Sequence, residues 1–148
     1  MKRIHIANYG PDELNIKTAL RIAFEECQSR KVDELAIITP KKDNLDHLVI
    51  ADVIGRDVAE LLVKGKKVEI LDTGIFFSNY SVATVQKGTT PKVGLAFYLV
   101  SEYIKKLDAL RFDCLIFVPW LEEEGKEWAA KWNAETHGEA RKESPVEQ

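Results

Sequence analysis

Four short apolar runs, each ending abruptly in polar, Gly or Pro residues, constrain this chain more than any other feature. Ile4-His5-Ile6-Ala7 precedes Asn8-Tyr9-Gly10, and Leu35-Ala36-Ile37-Ile38 precedes Thr39-Pro40-Lys41-Lys42. Val68-Glu69-Ile70-Leu71 precedes Asp72-Thr73-Gly74, and Leu115-Ile116-Phe117-Val118 precedes Pro119-Trp120. Helical patterns separate most of these runs, so strand and helix alternate. That rhythm predicts an α/β protein with a mostly parallel sheet, whose strand ends gather on one edge where open α/β folds place their ligands.

Pro11 and Asp12 start a helix expected over residues 12–30, with Ile16, Leu20, Ala23, Phe24 and Cys27 on its buried stripe. Residues 44–64 read as a second helix, weakened or broken at Gly55 and stopped by Lys64-Gly65-Lys66-Lys67. The stretch from Ile75 to Thr90 is long for a connection, and residues 80–86 have the β-branched content of a short extra strand. Thr90 then reads as an N-cap and Pro91 as N1 of an apolar, sandwiched helix ending near Leu107. A last helix starts near Leu121 and carries Trp128 and Trp132.

The 148 residues suit one core, so residues 1–137 are expected to form a single α/β domain and 138–148 a polar, flexible tail. Right-handed crossovers favour a three-layer α/β/α, Rossmann-like sandwich of four or five strands. With the four runs numbered in sequence, the expected strand order is 3-2-1-4. Its crevice would lie beside Asn8-Tyr9 and Pro119-Trp120.

A net charge of -3 argues against broad nucleic-acid binding. The longest apolar stretch, Val93 to Val100, is far short of the roughly 20 residues of a membrane span. No export signal is legible after Lys2-Arg3, and the expected location is cytoplasmic. Cys27 and Cys114 fit buried thiols rather than a disulfide framework. No cofactor and no metal is expected: His5, His47 and His137 show no ligand spacing, and neither a P-loop nor a dinucleotide fingerprint occurs.

The strand ends are therefore the candidate site. Asn8, Thr39 and Thr73 are expected to supply hydrogen bonds, and Lys41, Lys42 or Lys87 to neutralise a small anion such as a nucleotide or sugar phosphate. The Lys87-Gly88-Thr89-Thr90 turn, read as opening a helix, adds the hydroxyls of Thr89 and Thr90. Two alternatives stay open. One is an enzyme acting on a nucleoside or phosphoester, with Asp72 as the best acid-base candidate. The other is a module that self-associates into a homo-oligomer through Trp128 and Trp132.

The segment Asn15 to Ala23, followed by Leu35-Ala36-Ile37-Ile38-Thr39, resembles the opening of pyruvate-kinase carboxy-terminal-domain-like proteins. Gly88-Thr89-Thr90-Pro91 before an apolar stretch is similar to a Gly-Val-Thr-Pro turn in that group. The resemblance implies a small α/β fold. Pyruvate kinase receives an effector phosphate on a glycine-rich loop after its second strand, whereas Thr39-Pro40-Lys41-Lys42-Asp43 has no glycine. Gly88 to Ala96 also resembles the Gly-Thr-Ala-x-Glu-Ile-Gly-x-Ala helix start of nucleoside deoxyribosyltransferase-like proteins. Lys92 stands where that family's catalytic glutamate would be, and a lysine cannot supply its carboxylate nucleophile.

Overall fold

A computed structural model describes residues 1–7, 9, 12–41 and 49–138. In chain order the elements are β1 (Lys2–Ile6), α1 (Glu13–Arg30), β2 (Glu34–Thr39), α2 (Val49–Ile54), α3 (Arg56–Val63), β3 (Val68–Glu69) and β4 (Phe76–Ser81). They continue with α4 (Val82–Lys87), β5 (Val93–Phe97), α5 (Ser101–Asp108), β6 (Cys114–Val118), α6 (Glu122–Trp132) and β7 (Glu135–His137). None of the described helices is long and apolar enough to cross a membrane.

Helix α1 follows from its sequence. The Asp12 carboxylate accepts the Leu14 N–H at 3.0 Å in an extended N-cap, and Lys31 closes the far end in left-handed conformation at φ 57°. Ile16, Ala19, Ile22, Ala23 and Cys27 form its buried face. Residues 49–63 break at Gly55, whose φ of 103° is open to glycine and strained for other residues. The expected start of that helix, residues 44–48, lies outside the described residues.

The sheet differs from the expectation in number and order. It has seven strands in the order β3-β4-β2-β5-β6-β1-β7, all parallel except β3, which runs antiparallel to β4. The first and fourth runs do pair, as β1 and β6, but β2 lies between β4 and β5 rather than beside β1. Two strands were hidden in the sequence. The helix expected over 91–107 is strand β5 followed by α5, and the strand expected over 80–86 is the end of β4 running into α4. A central parallel strand buried on both faces is apolar all round, as a sandwiched helix also is, so periodicity does not separate them. All five residues of β5 are buried. The other hidden strand, β7, falls where the chain turns polar, and pairs in parallel with β1.

Connections from β1 to β2 and onward to β4 move toward one side of the sheet; those through β5, β6 and β7 move back. The core falls into two clusters of buried residues. Ile4, Ile6, Leu35, Ile37, Leu95 and Ile116 pack with α1, α2 and α3. Their alternates Ile38, Ala96, Leu115 and Phe117 pack with α4, α5 and α6.

Helix α6 is docked by its tryptophans. Trp128 is buried and meets Phe117 edge-on at 5.3 Å between ring centroids. Trp132 lies under the Arg3 guanidinium, 3.6 Å from its centroid.

Candidate functional site

The topology divides the expected site residues between the two edges of the sheet. Thr39 ends β2 on the carboxyl edge, where it is buried and donates its hydroxyl to the Lys41 carbonyl at 2.7 Å. That bond closes the turn after the strand, and Lys41 is exposed on it. Asn8 and Lys42 lie outside the described residues.

Asp72 and Thr73 stand on the opposite edge. Because β3 is antiparallel, the turn that follows it leads into the start of β4, beside the start of β2: Phe76 pairs with Glu34 and donates to the Asp33 carbonyl at 2.9 Å. Asp72 is exposed there. Thr73 is spent on its own turn, donating to the Ile70 carbonyl at 2.6 Å and accepting the Ile75 N–H at 3.2 Å. Lys87 ends α4, and Thr89 and Thr90 lead into the start of β5, so this group too lies on the amino edge. The turn opens a strand rather than a helix, which removes the helix N-terminus on which its anion cradle depended.

What the carboxyl edge does gather is an aromatic corner. Tyr98 follows β5 and donates its backbone N–H to the Val118 carbonyl at 2.8 Å, which holds it between β5 and β6. Its φ is 61°, the left-handed region that is uncommon for a bulky side chain. Trp120, just past β6, meets the Tyr98 ring at 5.0 Å and 89°, and is 43% exposed. The Tyr98 side chain packs into the α1 cluster, and its hydroxyl is buried with no hydrogen-bond partner among the described residues. Burial, and secondarily the charge of Asp12, push that hydroxyl up to about 12, so it stays protonated at neutral pH.

On the β1 side of the same edge, His5 is buried between two hydroxyl groups. Its Nδ1 lies 3.3 Å from Thr136 Oγ1 and its Nε2 3.2 Å from Tyr9 Oη. Gly125 of α6 packs so closely here that an added Cβ would lie 2.7 Å from His5 Nε2 and 2.6 Å from Pro119 Cγ. This is a satisfied core histidine that carries Tyr9.

The helix N-termini on the carboxyl edge are met by the chain's own acids and hydroxyls. Asp12 caps α1 and Ser81 caps α4. Glu124, from α6, accepts the Ser101 N–H at 3.1 Å and so caps α5, which has no side-chain cap of its own. Asp12 and Trp120 were legible as a helix start and a strand end, but Tyr98 was concealed inside the run read as helix. Among the described residues, no group of three or more His, Cys, Asp or Glu side chains is placed to hold a metal ion. Searches of protein-family models, of curated proteins and of solved structures find no match to this chain.

Proposed function

We propose that this protein is a small-molecule-binding domain of Rossmann-like, three-layer form, whose ligand sits at the carboxyl edge where β5, β6 and β1 meet. One observation carries the reading: Tyr98 combines a left-handed backbone with a buried, unpartnered hydroxyl. Each feature costs on the order of 1–3 kcal/mol, and such costs cluster at ligand sites. The loops after β1 and β6 lead to helices on opposite faces, which opens a crevice between those strands. Trp120 covers the corner and remains partly exposed.

The enzyme alternative through Asp72 gains no support, because that carboxylate stands on the far edge from Tyr98. The reading is tested by thermal shift and tryptophan fluorescence with a panel of nucleosides, nucleotides, sugar phosphates and small aromatic amines and acids. A binder should stabilise the fold and change the emission of Trp120. It should lose affinity in Tyr98→Phe and lose the optical response in Trp120→Phe. A panel in which every compound leaves both signals unchanged would count against the site.

A further inference from the structure

Strand β3 pairs with β4 only at Phe76 and Phe77, so residues 78–81 carry no strand on their outer side among the described residues. The turn after α3 stands there instead. Backbone bonds from Gly65 to the Leu62 carbonyl and from Lys66 to the Leu61 carbonyl, both 3.0 Å, fix that turn, with Gly65 at φ 89°. Between it and β4 lies a cavity of about 150 Å³, with Lys66, Lys67, Ser78, Tyr80 and Thr84 among its walls. Two groups in these walls are unengaged. Ser78 is 4% exposed, and its hydroxyl makes no hydrogen bond among the described residues. A buried hydroxyl in that state is destabilising and requires an explanation. Lys66 is exposed and enters no ion pair among the described residues. Lys67, by contrast, meets Glu34 Oε2 at 3.5 Å, and Tyr80 donates to the same oxygen at 2.6 Å. Ser78 lies near that carboxylate without bonding to it.

We infer that this cavity binds a small monocarboxylate, held by the Lys66 ammonium and the Ser78 hydroxyl. Both groups can donate, and an ionised acceptor makes the strongest bond to such a pair. Two ammonium groups, Lys66 and Lys67, stand here against the single carboxylate of Glu34, a balance that matches one negative charge. A dianion would exceed that balance and meet Glu34. Size sets the other limit: at about 30 Å³ per water the space equals roughly five waters, which suits a ligand of about five non-hydrogen atoms. The cavity lies across β2 from β5, so this site is separate from the Tyr98 corner and stands or falls without it.

The test is a chemical-shift titration of the full, isotope-labelled chain with propanoate, propanamide and inorganic phosphate. Propanoate should give saturable shifts at the amides of residues 65–67 and 78–80. Propanamide has the same shape without the charge and should bind roughly tenfold or more weakly. Lys66→Gln, an exposed change, and Ser78→Ala, which removes one buried oxygen, should each weaken propanoate roughly tenfold and leave the rest of the spectrum in place. Should Ser78→Ala unfold the chain, Lys66→Gln decides alone. Propanamide binding as tightly as propanoate, or propanoate binding indifferent to Lys66→Gln, overturns the carboxylate assignment. Phosphate binding more tightly than propanoate overturns the match to a single charge. Shifts confined to Tyr98 and Trp120 place the acid at the corner and overturn this site, and so does the absence of any saturable shift.

Discussion

Asp108 accepts the indole N–H of Trp128 at 3.1 Å, and through that bond the last residue of α5 fixes the middle of α6. The same carboxylate accepts from Trp132 Nε1 at 3.0 Å and from Arg3 Nε at 3.2 Å. A carboxylate at a helix C-terminus is disfavoured by the helix dipole, so these donors rather than local propensity account for its place. One side chain thus ties β1, α5 and α6 together.

Removing that acceptor should be costly. In Asp108→Ala the Arg3 guanidinium, 12% exposed, loses its partner, as do both indole N–H groups. A loss of about 3 kcal/mol is expected, read as a lower urea midpoint at unchanged slope. Asp108→Asn keeps an acceptor oxygen and should lose less.

Glu34 and Tyr80 predict the acid limb of stability. Burial by itself raises the Glu34 carboxyl, but the hydrogen bond from Tyr80, the nearby Ser78 hydroxyl and the Lys67 charge outweigh it and hold the group below its usual 4.5. The Tyr80 hydroxyl donates to it at 2.6 Å. A folded-state value below the unfolded one contributes stability above the unfolded value, lost as pH falls through the folded one. The melting temperature should therefore drop below about pH 4.5, and Glu34→Gln should flatten that drop. An equally steep decline in the variant would assign the acid limb to other carboxylates.

Where local chemistry decides structure, the sequence was readable. The Asp12 cap, the Gly55 break and the ends of β2 and β6 needed no tertiary information. Strand β5 was not readable, because Val93-Gly94-Leu95-Ala96-Phe97 is buried on both faces and has no polar side to reveal its period. That omission displaced the helix start to Thr90 and carried Lys87, Thr89 and Thr90 to the wrong edge. The two-residue β3 pairs antiparallel, a choice made by its partner rather than by Val68 or Glu69, and it inverted Asp72 and Thr73. Tyr98 is the point where both limits meet: a strand hidden by its own burial, ending in a backbone conformation that no periodicity reports.

Gly125 should reverse the usual helix rule. Alanine inside a helix normally gains about 1 kcal/mol over glycine. Here the new Cβ would meet Pro119 Cγ at 2.6 Å, His5 Nε2 at 2.7 Å and Tyr9 Cε1 at 2.9 Å. Overpacking against three buried or half-buried rings typically costs 1–3 kcal/mol, enough to cancel or exceed the gain. Gly125→Ala should thus be destabilising in chemical denaturation, and Tyr9 should move off His5. A more stable variant would show that α6 can slide away from β1 at little cost.

Tyr98→Phe separates stability from function most sharply. The hydroxyl is buried and has no partner among the described residues, which leave its desolvation uncompensated. Deleting that single oxygen keeps the ring, its edge contact with Trp120 and its place in the core. The left-handed backbone is untouched. The variant should therefore be more stable by about 1 kcal/mol, against the usual cost of altering a buried side chain. If the hydroxyl exists for a ligand, the same change should weaken binding of whichever panel compound stabilises the unaltered chain, the exchange expected where a site is held at the expense of the fold. Urea denaturation and fluorescence titration on one preparation read both effects. A variant that is less stable would mean that the hydroxyl has a partner after all, and one that gains stability while binding equally well would make the unpaired group a packing accident.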